Sequence, residues 1–240
     1  MADSTLYPDK AVFQVRRHQA RRRRLRHGVV IGLVAAIALA LSWIVFFSPV
    51  LAVRQVAVEG VSLISADAVI AAAAVPEGTP LIRVSQSAVA QRVTSALPEV
   101  EKVEVSRRWP GTLVIHVTER TIVFQVVDAG GFGWVSADGT VFHISPDAQP
   151  VPTATVGIEG PKMLSEIATV VAALPDSLSP FVASIIAPTA DSITLQLSDG
   201  RQIMWGSAEQ SDLKAQVIVP LLTVPGQVYD VSAPSNPAVR

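Results

Sequence analysis

Residues 97–120, LPEVEKVEVSRRWPGTLVIHVTER, hold two alternating apolar runs around one tight connection. Val103 and Val105 share a face of a strand over Glu101–Arg108, and Leu113, Ile115 and Val117 share the facing one over Leu113–Arg120. Trp109-Pro110-Gly111-Thr112 supplies the turn. Upstream, Val53–Gly60 (VRQVAVEG) alternates and ends in glycine, as a strand does. Ser65 is a good N-cap for the Ala-rich stretch that follows, with Asp67 in the first turn favouring the helix dipole. Pro76-Glu77-Gly78-Thr79-Pro80 breaks that helix. Ser85 can cap a second one, on which Val89, Val93 and Leu97 make an apolar stripe until Pro98 stops it. Strand, helix, helix, strand, strand is a small α+β module that can just bury a core.

Beyond it, Thr121–Val127 continues as a strand, and Trp134-Val135 with Val141-Phe142 flank the hairpin signal Asp138-Gly139. Pro150–Pro161 reads as loop. Leu164, Ile167, Val171 and Leu174 fall at helical spacing before Pro175. Ile193, Leu195 and Leu197 alternate into a second hairpin signal, Asp199-Gly200, followed by Ile203 and Trp205. Ser211 can cap a helix carrying Leu213, Val217 and Leu221. A last short strand over Gln227–Val231 leads to a Pro-rich end, expected to be unstructured.

The N-terminal side is of another kind. Val29–Phe47 (VVIGLVAAIALALSWIVFF) has no charge over 19 residues. That is about 28 Å of helix, near a bilayer's hydrocarbon thickness. Arg21, Arg22, Arg23, Arg24 and Arg26, with Arg16 and Arg17, precede it, and the next charge is Arg54. Arginines on one side fix that side as cytoplasmic, and Trp43, Phe46 and Phe47 suit the opposite interface. The expected topology is single-pass, type II. A cleaved signal peptide is the rival, through Ala38-Leu39-Ala40, but the apolar run continues past it. Residues 1–28 hold eight Lys/Arg against two Asp/Glu and the remainder eleven against eighteen, so the net charge of −1 averages two unlike pieces.

The chain has no cysteine, which excludes disulfides, Fe–S clusters, thiolate zinc and thiol nucleophiles. His18, His27, His116 and His143 are too scattered for a convincing metal site. Neither a phosphate-binding glycine loop nor a nucleophile elbow is present. Ser211-Asp212-Leu213-Lys214 matches the S-x-x-K of penicillin-binding proteins but lacks their companion motifs. The expectation is no enzyme, no metal and no cofactor. His116 reads as a partly exposed strand residue, His143 as an ordinary hydrogen-bonding one near Asp147, and Arg107-Arg108 as pairing with Glu101 or Glu104, with an exposed patch for an anionic partner as the alternative.

Residues 48–120 resemble the POTRA domain of the FtsQ/DivIB bacterial cell-division family. VAVEG at 56–60, GTPLIRV at 78–84, LPEVEKVEVSRRWPGTL at 97–113 and IHVTER at 115–120 carry the resemblance. Ser85 departs from it, where this family often has an acidic residue. The later half is similar to the same family's β-domain, with Lys214 on its helix and VYDVS at 228–232 as its closing pattern.

The resemblance implies a basic cytoplasmic tail (1–28), a transmembrane helix (29–47), a POTRA domain (51–120), a mainly antiparallel β-domain with flanking helices (121–232) and a flexible tail (233–240). It implies a divisome scaffold in the plasma membrane at the septum, controlling septal peptidoglycan synthesis. FtsB and FtsL would dock on the β-domain, with FtsK-like and FtsW/FtsI-type division proteins as further partners beside the lipid bilayer. No nucleic acid and no small-molecule substrate are implied. The docking strand by resemblance is Gln227, Val228, Tyr229, Asp230, Val231, Ser232 and Ala233, supported by Trp205 and Lys214. Some members carry aromatics just beyond the aspartate and near the C-terminus; here Ala233 takes the first place and the tail has none. An edge strand presents unpaired N–H and C=O groups that a partner strand satisfies. POTRA domains also bind client polypeptides in envelope transport, the alternative function.

Overall fold

A computed structural model describes residues 29–40, 42–43, 51–157 and 160–240. Residues 29–40 and 42–43 are helical, and among the described residues no helix is long and apolar enough to cross a membrane. Part of the expected span, residues 41 and 44–47, lies outside the described residues, as do Arg21, Arg22, Arg23, Arg24 and Arg26.

The described residues divide into two compact units, one of those up to 57 with 75–86 and 106–114, the other of 58–74 with 87–105 and those from 115 on. In the first, the chain leaving residue 51 is fastened at once. Ala52 bridges Pro80, Val53 N–H donates to Thr79 C=O at 2.8 Å, and Arg54 N–H donates to Gly111 C=O at 2.8 Å. The Trp109–Pro110 peptide bond there is cis. Arg107 does not pair with Glu101 or Glu104: its Nη2 donates to Val84 C=O at 2.7 Å, and Glu104 takes Lys102 instead, also at 2.7 Å.

A three-stranded sheet has the order β1-β3-β2, from β1 (Gln55–Glu59), β2 (Val100–Arg108) and β3 (Thr112–Glu119). Helix α1 (Ala66–Ala73) starts where Ser65 caps it, the serine Oγ accepting from Ala68 N–H, and buries Val69 and Ala73. Helix α2 (Gln86–Ala96) buries Val89 and Val93. Leu113, Ile115 and Val117 are buried and His116 is exposed, the alternation a one-sided strand requires. Val103 and Val105 are only half-buried.

Within the second unit lies a nine-stranded sheet of order β12-β11-β10-β9-β8-β7-β4-β5-β6. Its strands are β4 (Phe124–Asp128), β5 (Gly131–Val135), β6 (Val141–Ser145), β7 (Thr153–Val156), β8 (Val182–Ala187), β9 (Ile193–Leu197), β10 (Gln202–Gly206), β11 (Val228–Asp230) and β12 (Ala238–Val239). Both Asp-Gly signals are turns, with Gly139 at φ +81° and Gly200 at φ +91°. Helices α3 (Pro161–Ala173) and α4 (Ser211–Leu221) share one core with the sheet, which includes Phe124, Ile167, Ile185, Leu195, Ile203, Trp205, Ile218 and Tyr229.

Two expectations are corrected. The stretch 150–161 is not all loop: Thr153–Val156 is β7, pairing parallel with both β4 and β8. The sheet is mainly antiparallel, in five of its eight strand pairs; among the parallel neighbours, α3 links β7 to β8 and α4 links β10 to β11, since a parallel pair needs such a crossover. The tail is not loose. Asn236 N–H donates to Ala233 C=O in a turn, and Ala238–Val239 then pairs antiparallel with β11.

Candidate partner-binding edge

The C-terminal margin of the large sheet is built on a buried polar knot. Trp205, wholly buried, donates its indole N–H to Ser211 Oγ at 3.0 Å, and Ser211 donates to Ala208 C=O at 2.7 Å. Ser211 therefore does not cap α4; Gln210 stands at that position in the left-handed region (φ 56°), with no side-chain cap bond. Lys214 is buried too, and its Nζ donates to Ser207 C=O at 2.8 Å. Burial pushes the Lys214 ammonium below its usual range, against a smaller opposing pull from Glu209. With the Ser211 proton committed to Ala208, this serine and lysine hold a loop to a helix rather than forming a nucleophile and its base. Leu213 of the expected stripe is exposed, because Ser211, Lys214, Ala215 and Ile218 take the inward face instead.

Strand β11 lies against this frame. Tyr229 is buried, its hydroxyl within hydrogen-bond reach of Val224 C=O at 2.8 Å and Gly226 C=O at 3.1 Å, and the Arg201 guanidinium stands 5.8 Å from its ring centre. Asp230 Oδ1 accepts from Ser232 N–H at 3.0 Å and Ser232 Oγ–H at 2.6 Å, tying off the strand end. Gly206, at φ +75°, leaves room that a Cβ would take from Ser232, 2.9 Å away.

The strand expected at the margin is an interior one. On one side Gln202 N–H donates to Gln227 C=O (2.8 Å) and Val231 N–H to Met204 C=O (3.0 Å). On the other, Gln227 N–H and Val228 N–H donate to Arg240 C=O at 2.8 and 2.9 Å, and Arg240 N–H to Val228 C=O at 2.8 Å. Val228 and Arg240 thus exchange both bonds, so Tyr229 and Val239 form the next, non-bonded pair. That alternation turns the N–H and C=O of Val239 outward, away from β11. Val231 is buried, and Ser232 and Ala233 are exposed on the connection to β12. The free backbone at this end of the sheet is that of β12, which the sequence reading missed: two Pro residues and a short run hid it, although alternation over Ala238–Val239 cannot be tested in so few residues.

Elsewhere, His143 faces Glu99 at 3.8 Å rather than Asp147. Among the described residues no group of three or more His, Cys, Asp or Glu could hold a metal ion.

Comparison with known proteins places two family models on the chain. Residues 51–120 match the family model "POTRA domain, FtsQ-type", and residues 125–230 match "Cell division protein FtsQ/DivIB, C-terminal". A cell division protein FtsQ of Mycobacteroides abscessus is 36% identical over 214 residues, covering 88% of this chain and 69% of that protein. One from Mycolicibacterium smegmatis is 37% identical, covering 87% of this chain and 63% of that protein. One from Streptomyces bingchenggensis is 35% identical over 238 residues, covering 92% and 90%. Among solved structures, the extracytoplasmic domain of DivIB from Geobacillus stearothermophilus aligns with TM-score 0.36 and 16% identity, over 50% of this chain and 98% of that one, a likeness too weak to bear on the site. On the two matched segments and these relatives, the chain belongs to the FtsQ/DivIB family of cell division proteins.

Proposed function

We propose that the chain is a membrane-anchored, non-enzymatic scaffold of the division machinery. It takes up an extended segment of FtsB, delivered with FtsL, as an added strand beside β12. The observation that carries this reading is the outward backbone of Val239 at the end of a nine-stranded sheet, an unpaired donor and acceptor on a rigid frame. The docking residues move accordingly from Gln227–Ala233 to Ala238 and Val239, with Trp205, Lys214 and Tyr229 as the frame behind them. Backbone pairing needs no aromatic anchor, so its absence from the tail is no obstacle.

The anchor is residues 29–47, with 1–28 in the cytoplasm and the domains 51–120 and 121–240 outside. Its support is the described helical stretch, where Val29, Ile31, Leu33, Val34, Ile37 and Leu39 are all at least half exposed. A helix apolar all round belongs in a protein core or in lipid. FtsK-like recruiters and FtsW/FtsI-type proteins are the further partners, and the scaffold's output is control of septal peptidoglycan synthesis at the division site.

The test is capture of FtsB–FtsL ectodomains by the detergent-solubilised full chain and by Val239→Pro, which deletes the outward N–H. Loss of capture with an unchanged circular-dichroism spectrum supports strand addition at β12. Equal capture by the folded variant moves the interface elsewhere, and capture of secretion clients instead favours the transport reading.

A further inference from the structure

The end of the first module that adjoins the apolar run carries chemistry that partner docking at the C-terminal edge does not use. Three residues, Ser48-Pro49-Val50, separate Phe47 from Leu51, so Ala52 can stand at most about 18 Å from Phe47. Two loops are fastened to that point. Gly78 N–H donates to Val53 C=O at 2.9 Å, beside the Ala52–Pro80 bridge, and Arg54 N–H donates to Gly111 C=O. Gly111 is packed so closely that a Cβ would stand 3.0 Å from Ala52 O and 3.3 Å from the Arg54 side chain.

These loops present Trp109, 50% exposed, and Ile82, 36% exposed, together with exposed Arg83 and Arg108. Within residues 51–57, 75–86 and 106–114 there are four arginines (54, 83, 107 and 108) against one acid, Glu77. Elsewhere in the same module Glu59, Glu99, Glu101, Glu104 and Glu119 outnumber the basic residues, so charge is segregated along it. Such a mixture of an exposed indole, an aliphatic side chain and guanidinium groups matches a bilayer interface. Tryptophan settles at headgroup depth, and arginine pairs bidentately with phosphate while its stem lies on apolar surface.

We propose that this face docks on the bilayer surface, with Trp109 and Ile82 at the headgroup–acyl boundary and Arg83 and Arg108 on the phosphates of anionic phospholipid. The contact fixes the orientation of this unit on its short tether. It rests on the membrane-anchored reading above.

The absence of native cysteine allows a single spin label at Ile82→Cys, an exposed position, in the full chain reconstituted in nanodiscs. Equal parts phosphatidylglycerol and phosphatidylcholine are compared with phosphatidylcholine alone, and a label at exposed Glu101→Cys serves as the aqueous control. The expected result is a label at 82 that oxygen reaches more readily than a water-soluble nickel chelate, at headgroup depth. That shielding is lost in pure phosphatidylcholine, in high salt and in the charge-reversed R83E/R108E chain. A label at 82 as accessible to nickel as that at 101, in a chain that resists alkaline extraction from the bilayer, overturns the docking and leaves the anchor intact. Release of the chain by alkaline extraction overturns the anchor itself. Equal immersion in both lipids overturns the assignment of anionic headgroups.

Discussion

Gly226 is where the terminal strand is most easily dislodged. A Cβ at this position would collide with Val239 Cγ1 and stand 3.2 Å from Arg240 O. The glycine is not in the left-handed region, so alanine meets no backbone penalty. Without the collision, Gly226→Ala would therefore stabilise by about 0.4–1 kcal/mol through the unfolded chain. With it, the Arg240 end of β12 must move off, and three bonds go with it: Gln227 and Val228 N–H to Arg240, and Arg240 N–H to Val228. At about 1 kcal/mol net for each bond, offset by the alanine gain, the cost is about 2 kcal/mol. Because the loss is local, hydrogen exchange reads it best. The amides of Gln227 and Val228 should exchange about 30-fold faster in Gly226→Ala, while core amides of β9 are unchanged. Removing the collision partner in Gly226→Ala/Val239→Ala should restore most of the protection, a coupling between neighbours that additive effects cannot produce. Unchanged or increased protection in the single variant would refute the packing of Val239 over Gly226.

Three further outcomes are expected. Ser211→Ala orphans a buried indole N–H and frees Ala208 C=O, so urea denaturation should show a loss of about 1–3 kcal/mol while the folded protein keeps partner capture; a variant that folds normally but loses capture would give Ser211 a role beyond structure. Burial tends to raise the Glu119 pKa, but hydrogen bonds from the Ser62 hydroxyl and the N–H groups of Leu63, Ile64 and Ser62 outweigh it and hold it at about 2. The folded value is depressed, so its stabilisation is complete above about pH 4.5 and lost as pH falls towards 2. Glu119→Gln should cost about 1–2 kcal/mol at pH 7, discounted for partial exposure, and nothing near pH 2 in parallel melts. For Lys214 the folded value is lowered, so the charged form weakens the native state at neutral pH and that burden lifts as pH rises towards 10.5. Lys214→Met should therefore lie within about 1 kcal/mol of the parent at pH 7; a loss of several would show that the bond to Ser207 outweighs desolvation.

Much of the fold was legible because local and global signals agree. The caps, breakers and alternation of residues 53–120 each dictate one element, and Ser65, the Pro76–Pro80 break and the Leu113–Val117 face are all where the spacing puts them. The two Asp-Gly turns were equally plain, since few residues tolerate positive φ. What the pattern hid has physical causes. Strand β7 is four residues between prolines, and β8, VASIIA, has two faces of similar character. Parallel pairing leaves no local trace, because β10 and β11 meet only through α4.

At the site, helical spacing pointed Leu213, Val217 and Leu221 inward; Val217 and Leu221 do pack against the core, but Leu213 is exposed, because the loop before α4 satisfies its carbonyls with Ser211 and Lys214, which turns that polar pair to the core. Strand β12 was invisible for a related reason. It is held by main-chain bonds and by the space above a glycine, neither of which an amino-acid pattern records.

A partner strand received by the outward backbone of Val239 would cover that residue's amide. Amide exchange at Val239, followed by nuclear magnetic resonance in the full chain with and without FtsB–FtsL ectodomains, tests it most directly. Val239 N–H should exchange freely in the chain alone and become strongly protected in the complex, while Gln227 and Val228 are protected in both. A saturated complex in which Val239 still exchanges freely would contradict it.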